Sequence, residues 1–218
     1  MDARAVFLDR DGVINPYVYH PEFGTVDSPA RPSEFSLFPG VGAAIKRLNQ
    51  LGLLVVVVSN QPGIAKRKFT VSHLEAVTNR MRSSVRSAGG KIDAVYYCRH
   101  HPDSLLPLYR KNCDCRKPQP GLLLAAARDH KIDVARSYTI GDGIVDILAG
   151  AAAGTTTFFV SSRKCYACDE LARRHVRPDF CVRDLREASE VICALETGDV
   201  TTAEKHSFAD GCLSAELL

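Results

Sequence analysis

The sequence has no strong excess of charge of either sign: 28 basic and 25 acidic residues leave a formal net charge of +3. No basic run exceeds Lys66-Arg67-Lys68, which is typical of a solvated turn. Proteins that bind nucleic acids usually carry a clustered basic surface, and this pattern is missing. We therefore expect no nucleic-acid partner.

Long hydrophobic runs are also missing. None approaches the roughly 18 apolar residues that are needed to cross a bilayer, and the polar start Met1–Arg4 precedes an apolar stretch too short for a signal peptide. We expect no membrane association and a cytoplasmic location. No internal repeat, glycine-rich dinucleotide loop or Ser-His-Asp arrangement stands out, so nothing points to those classes of protein.

Cysteine, in contrast, is abundant, with eight residues in 218. Disulfide scaffolds are usually short secreted chains, whereas this longer chain is 45% hydrophobic and can bury a substantial core. Clustered cysteines in a reducing compartment point toward metal or redox chemistry. The lone pair Cys165 and Cys168 lacks a second pair, and we interpret it as two ordinary cysteines.

Strand-like and helix-like segments alternate along the chain. This alternation predicts an α/β fold, with a Rossmann-like parallel sheet and helices on both faces. The predicted strands cover 5–8, 53–58, 94–97, 138–140, 156–160 and 180–182, and the predicted helices cover 41–51, 70–88, 120–130, 145–153, 169–175 and 185–195.

Two long connections interrupt this alternation, at 16–38 and 98–117. Long loops in a compact domain are usually functional. We expect one domain over 1–197 with no large cap domain, a loosely held tail over 198–218, and a monomer.

Polar residues follow several of the predicted strands. Asp9-Arg10-Asp11-Gly12 follows the first predicted strand, and Ser59-Asn60 follows the second. Gly141-Asp142 follows the fourth predicted strand, and Asp146 comes four residues after Asp142. Lys117 is the last residue of the second long loop. Ligands of such sheets bind at the carboxyl ends of the strands. Asp-x-Asp-Gly alone is common in turns, but several acids converging with a lysine indicate a divalent cation and a phosphate, because these would balance the charges.

These four elements, in this order, resemble the signature of haloacid-dehalogenase-like phosphohydrolases, over about residues 5–160. The resemblance implies that Asp9 is a nucleophile that forms an aspartyl-phosphate, and that Asp11 is first the general acid and then the general base. It implies further that Ser59 and Lys117 hold the phosphoryl oxygens. Elementary chemistry agrees, since a carboxylate nucleophile divides ester hydrolysis into two easier displacements.

The same resemblance implies a Mg²⁺ site. Asp9, the backbone carbonyl of Asp11, and Asp142 would ligate the ion, while Asp146 would support these ligands from behind. Mg²⁺ and Lys117 would offset the repulsion between an anionic attacker and an anionic phosphate.

The second long loop carries a pattern typical of a structural zinc site. Cys98-x-His100 and Cys113-x-Cys115 supply three thiolates and one imidazole, which complete a tetrahedral shell with no open position. His101 is an alternative imidazole ligand. Bound zinc would fold a loop that cannot bury a core of its own, so we expect a zinc-stapled loop over 98–117.

The segments CRHHP, CDCRKPQPG and NQPGIAKRKF narrow the resemblance to the family of D-glycero-D-manno-heptose 1,7-bisphosphate 7-phosphatases and their histidinol phosphatase relatives. It implies a small phosphorylated sugar as substrate, recognised by Arg116. Asn60, which follows the second predicted strand, and His20, which lies in the first long loop, are further candidate substrate-binding residues. Two features depart from the heptose enzymes. Gly143 stands where they usually carry lysine, and the loop at 16–38 is longer than expected.

Two alternative functions remain. One is histidinol-phosphate hydrolysis, which the zinc loop does not distinguish from heptose chemistry. The other is a catalytically silent, zinc-stapled binding protein, although every acid and base that the phosphatase reaction requires is present in the sequence.

Overall fold

The computed structural model describes residues 2–160, 170–171 and 173–199. Six parallel strands form its central sheet: β1 (Ala5–Leu8), β4 (Leu54–Asn60), β5 (Ala94–Cys98), β6 (Tyr138–Gly141), β7 (Thr156–Val160) and β8 (Phe180–Val182). Their order across the sheet is β5-β4-β1-β6-β7-β8. A separate antiparallel hairpin consists of β2 (Val18–His20) and β3 (Thr25–Asp27).

Helices cover both faces of the sheet. They are α1 (Val41–Gln50), α2 (Val71–Ser87), α3 (Gly121–His130), α4 (Ile144–Ala153) and α5 (Leu185–Thr197). Val6 and Leu8 of β1 pack in the core beneath α1, α2 and α5, while Ala5 and Phe7 pack in the core beneath α3 and α4. Because both faces are buried, the strand is apolar throughout. The predicted α/β fold is confirmed.

The strand order creates the crevice in which the polar residues meet. β1 lies at the centre of the sheet and pairs with β4 on one side and with β6 on the other. The chain therefore leaves β1, β4 and β6 at the same edge, where strand connections diverge and ligands bind in open α/β sheets.

The first long loop contains structure that the sequence analysis did not predict. The hairpin β2–β3 lies within it, and a 3₁₀ turn follows at Pro32–Glu34. Each strand of the hairpin has three residues and pairs only with the other, with Tyr19 opposite Val26. Both of these side chains are exposed, so no buried face imposes the alternation by which a strand is predicted.

The remaining boundaries lie close to the predicted ones, with one consequence for the site. β4 continues to Asn60, so Ser59 and Asn60 are its last residues rather than the start of a loop. The predicted helix at 169–175 lies only partly within the described residues, and Cys165, Cys168 and the tail from residue 200 lie outside them. No described helix is both long and apolar enough to cross a membrane.

Candidate active site

Three buried carboxylates meet at the edge of the sheet, and we call them the carboxylate cluster: Asp9, Asp142 and Asp146. Asp9 follows β1, Asp142 follows β6, and Asp146 lies in the first turn of α4. One oxygen of each lies within 4.8 Å of the others. Burial, and then the charge of Asp9, raise the pKa of Asp146 to about 7 even though Lys117 lowers it. Oxygen ligands that repel one another in this way suit a hard divalent cation such as Mg²⁺.

Gly12 allows the loops after β1 and β6 to come this close. Its φ is +88°, and a Cβ built on it would lie 2.2 Å from Oδ2 of Asp142. Any other residue at this position would both strain the backbone and displace the Asp142 carboxylate.

Lys117 places a positive charge between two members of the carboxylate cluster. Its Nζ lies 2.8 Å from Asp9 Oδ1 and 2.5 Å from Asp146 Oδ1, and it donates to the carbonyl of Val58 at 2.8 Å. Burial lowers the pKa of this amine, but Asp146 and Asp9 outweigh burial and hold the pKa above the usual lysine value. Lys117 is therefore a fixed cation beside Asp9.

The backbone of Lys117 is fixed by the end of β4. Asn60 Nδ2 donates to the carbonyl oxygen of Lys117 at 3.0 Å, and the Lys117 amide donates to Asn60 Oδ1 at 3.1 Å. A cavity of about 170 Å³ opens above these residues. Its lining brings together the predicted catalytic residues, the predicted Mg²⁺ ligands with their supporting carboxylate, and one predicted substrate-binding residue. They are Asp9, Asp11, Ser59, Lys117, Asp142, Asp146 and Asn60, and Tyr17, Ser28, Gly143 and Val145 complete the lining.

Asp11 lies on the same cavity but in different surroundings from Asp9. Its carboxylate accepts hydrogen bonds from the side chains of Arg10, Asn15, Ser28 and Gln61. Burial raises the pKa of Asp11, but the charge and hydrogen bonds of Arg10, followed by Asn15 and Gln61, hold the pKa below its usual value. The two neighbouring aspartates thus differ in partners, and the partners of Asp11 favour its carboxylate form, which is the form that a general base needs.

Residues at both ends of the hairpin reach the catalytic carboxylates. Tyr17, just before β2, donates its hydroxyl to Asp142 Oδ2 at 3.4 Å. Ser28, just after β3, donates to Asp11 Oδ2 at 2.8 Å. The sequence analysis identified neither residue, because both lie in a loop with no pattern that distinguishes its polar side chains.

The four predicted zinc ligands also come together, and we call them the cysteine cluster: Cys98, His100, Cys113 and Cys115. The three sulfurs lie 3.2–3.6 Å apart, and His100 Nδ1 lies 3.3 Å from the sulfurs of Cys113 and Cys115. Burial, and then the sulfurs of Cys113 and Cys98, raise the pKa of Cys115. Three thiolates this close need a cation, and the donor set suits zinc.

The choice between two histidines in this loop is resolved by the geometry. His100 is part of the cysteine cluster, whereas the Nδ1 of His101 accepts a hydrogen bond from the Asp103 amide at 3.1 Å. Arg116 and Lys117 follow directly after Cys115, so the cysteine cluster precedes the predicted catalytic lysine by two residues.

Comparisons with known proteins agree with this geometry. A HAD-hydrolase-like family model matches residues 114–188. D-glycero-beta-D-manno-heptose-1,7-bisphosphate 7-phosphatase of Salmonella typhi is 42% identical over 153 residues, covering 70% of this chain and 77% of that protein. This chain belongs to the HAD-like phosphatase family. The enzyme of the same name from Escherichia coli K12 is also 42% identical, over 70% of this chain and 76% of its own length.

A comparison with a solved structure shows that the similarity includes the fold. The D,D-heptose 1,7-bisphosphate phosphatase of B. bronchiseptica, complexed with magnesium and phosphate, superposes on this HAD-like phosphatase with a TM-score of 0.72 and 30% identity. The match covers 88% of this chain and 99% of that one.

Two predicted substrate-binding residues of this HAD-like phosphatase lie outside the catalytic cavity. His20 lines a neighbouring cavity of about 680 Å³ between the hairpin and the loop after β4, and Ser28 borders both cavities. Arg116 is half-buried and donates from Nη1 to the His100 carbonyl at 3.2 Å. The structure therefore separates these two residues from the catalytic group.

Proposed function

We propose that this chain removes the 7-phosphate of D-glycero-D-manno-heptose 1,7-bisphosphate in a Mg²⁺-dependent reaction with an aspartyl-phosphate intermediate. One observation carries the proposal. Asp9, Asp11, Lys117 and Asp142 line a single cavity, in a chain 42% identical over 153 residues to phosphatases named for this substrate.

In the first step, Asp9 attacks the phosphorus atom. A bond forms between a carboxylate oxygen of Asp9 and phosphorus, and the bond from phosphorus to the sugar oxygen breaks. Asp11, protonated in the substrate complex because the anionic phosphate beside it favours the neutral carboxyl group, delivers its proton to the departing oxygen, which leaves as a neutral alcohol. Lys117 Nζ, 2.8 Å from Asp9 Oδ1, holds Asp9 in place and offers positive charge to the phosphoryl oxygens, while Ser59 donates its hydroxyl to them.

In the second step, water attacks phosphorus and the aspartyl-phosphate breaks. Asp11, now a carboxylate, takes the proton from the attacking water. The bond between phosphorus and the Asp9 oxygen breaks, so inorganic phosphate leaves and both aspartates regain their starting states.

Two metals belong to the proposal. Mg²⁺, held by Asp9, Asp142 and the backbone carbonyl of Asp11, with Asp146 in support, supplies positive charge that offsets the repulsion between the Asp9 carboxylate and the phosphate. Zinc in the cysteine cluster keeps the loop at 98–117 folded, and its closed ligand set leaves no position for substrate.

Arg116 and His20 are proposed to contact the part of the sugar phosphate that does not react. His20 lines the larger cavity that shares Ser28 with the catalytic one, so a substrate longer than a single phosphate group can extend toward it. A cytoplasmic location and a monomeric state complete the proposal, and size-exclusion chromatography with light scattering tests the latter.

The proposal is tested by comparing two substrates on the purified protein with Mg²⁺. We expect a higher kcat/KM on heptose 1,7-bisphosphate than on histidinol phosphate, with release of one phosphate per sugar and retention of the 1-phosphate. Phosphate release and ³¹P NMR of the product measure both. A higher kcat/KM on histidinol phosphate would overturn the substrate assignment, and hydrolysis of neither compound would favour a silent binding protein.

A further inference from the structure

A buried arginine lies directly beneath the catalytic cavity. Arg10 is 0% exposed, and its guanidinium stacks over the Tyr97 ring at 5.7 Å from the centroid. Its Nε and Nη2 donate to the two oxygens of Asp11 at 3.1 and 3.0 Å. A fully buried guanidinium is costly unless it is paired, and pairing with both oxygens of one carboxylate also fixes the plane of that carboxylate.

Gln61, also fully buried, connects this arginine to the rest of the site. Its Oε1 accepts from Arg10 Nη2 at 3.0 Å, and its Nε2 donates to Asp11 Oδ2 at 2.8 Å and to Ser59 Oγ at 3.2 Å. One amide therefore joins the arginine, the proposed acid and base, and the hydroxyl that is proposed to bind phosphate. The sequence analysis gave a role to neither Arg10 nor Gln61.

These contacts fix the orientation of Asp11 before substrate arrives. Asn15 Nδ2 donates to Asp11 Oδ1 at 2.8 Å and Ser28 Oγ donates to Oδ2 at 2.8 Å, so both carboxylate oxygens are held from several directions. The Asp11 side chain cannot rotate without breaking hydrogen bonds, and three of its four donors, Arg10, Asn15 and Gln61, are themselves buried.

We propose that Arg10 and Gln61 are positioning residues that hold the Asp11 carboxyl group at the angle needed for proton transfer to and from the reacting oxygen. This inference rests on the proposed function and on the role of Asp11 within it. General acid–base catalysis contributes about 10²–10⁴-fold to a rate, and a displacement of about 1 Å can cost about 10²-fold. Loss of Arg10 or Gln61 should therefore slow proton transfer more than it slows the other steps of the reaction.

The dependence of rate on the leaving group distinguishes this role from a structural one. Substituted phenyl phosphates differ in how much they need a proton, because a phenol of low pKa departs readily as the anion. The quantity to measure is kcat/KM, which covers the steps up to departure of the phenol and excludes breakdown of the aspartyl-phosphate.

The test compares Gln61→Met and Arg10→Met with the wild-type protein over such a series, with Mg²⁺ present. We expect kcat/KM to fall about 10²-fold for unsubstituted phenyl phosphate and less than about 3-fold for dinitrophenyl phosphate, so the plot against leaving-group pKa becomes steeper. Gln61→Met leaves no buried charge unpaired on its own side chain, so it carries the comparison if Arg10→Met fails to fold.

Thr78→Val is the matched control. Thr78 contacts the hydroxyl of Tyr97 at 3.0 Å and does not line the catalytic cavity, so the loss of its hydroxyl should leave the slope unchanged. An equal loss of kcat/KM across the series in both Gln61→Met and Arg10→Met would contradict this inference but leave the proposed function standing. A wild-type protein that hydrolyses none of these esters would contradict the proposed function, and this inference with it.

Discussion

The carboxylate cluster and the cysteine cluster both have the chemistry of metal sites, but they depend on the fold in opposite ways. Asp9 and Asp142 follow β1 and β6 at the centre of the sheet, and all three carboxylates are buried. The cysteine cluster begins at the end of β5, an edge strand, and only Cys98 is buried. The central strands of the sheet hold the carboxylate cluster in place, whereas the cysteine cluster has to keep the loop at 98–117 folded.

The two clusters also differ in whether a positively charged side chain of the protein contacts them. Lys117 already bridges Asp9 and Asp146, so protein charge stabilises part of the carboxylate cluster without an ion. Among the described residues, no lysine or arginine side chain forms a hydrogen bond or ion pair with the sulfurs or the imidazole of the cysteine cluster. We therefore expect a substitution in the carboxylate cluster to remove activity with little loss of stability. We expect a substitution in the cysteine cluster to lower stability with a smaller effect on activity.

The largest effect expected is on activity, from Asp9→Asn. Asparagine keeps the size of the side chain and can still accept from Lys117, but it cannot form the aspartyl-phosphate. We expect kcat to fall by about 10³-fold or more, with the free energy of unfolding changed by less than about 1 kcal/mol. Phosphate release and urea denaturation measure the two. Turnover at the wild-type level would remove the covalent mechanism.

The next effect is on stability, from Cys113→Ser. Loss of one ligand opens the zinc shell, and we expect the free energy of unfolding to fall by about 3 kcal/mol or more. KM should rise because the loop carries Arg116 and Lys117, and the remaining activity should still require Mg²⁺. Elemental analysis should find about one zinc per wild-type chain and much less in the variant.

Cys193→Ser is the matched control for this variant. Cys193 is a half-buried cysteine of α5 that lies outside the cysteine cluster, so its substitution should leave zinc content and KM unchanged. Purified wild-type protein that is folded, active and free of zinc would contradict the structural role of the metal.

The smallest effect expected is a loss of stability alone, from a substitution at a helix end that belongs to neither cluster. Asp184 caps the N-terminus of α5 and accepts from the amides of Arg186 and Glu187 at 2.9 and 3.0 Å. Asp184→Ala should lower the free energy of unfolding by about 1 kcal/mol and the Tm by about 2–4 °C, with kcat/KM unchanged. A fall in kcat/KM of tenfold would show that modest destabilisation alone impairs this enzyme.

The pH dependence of this variant follows from the pKa of Asp184. Burial raises that pKa, but hydrogen bonds from Arg186 and from the Glu187 amide hold the net value below the usual one. Because the folded pKa is lowered, the stabilisation is present above the unfolded pKa of about 4 and disappears as the pH falls through the folded value. The difference in stability between wild type and Asp184→Ala should therefore shrink below about pH 4, as urea titrations at several pH values can measure.

The sequence predicted the sheet and the two clusters well because each has a local signal. β1 is a continuous apolar run, as is β4 over 54–58, and the Asp-x-Asp and Cys-x-Cys spacings follow from the chemistry of their ligands. All the catalytic residues that were predicted at strand ends line one cavity, because parallel strands bring their carboxyl ends to one edge.

What the sequence could not predict depends on contacts between distant segments. Arg10 and Gln61 are 51 residues apart and form one hydrogen bond, and charged residues are rarely fully buried, so nothing in the sequence indicated a buried contact between these two side chains. The hairpin was missed because its strands bury no face. The one available signal for Gln61 was its place directly after Ser59 and Asn60 at the end of β4.

The absence of a side chain at Gly12 has a consequence for how this site can evolve. With Cβ excluded by the Asp142 carboxylate, every single-step replacement of this glycine would disturb the loops after β1 and β6 at once, so we expect selection to keep it. The tip of the hairpin is under no such restriction, since Phe23 is 76% exposed and can change without touching a catalytic group. New substrates can therefore be acquired through the hairpin while the reaction itself is inherited unchanged.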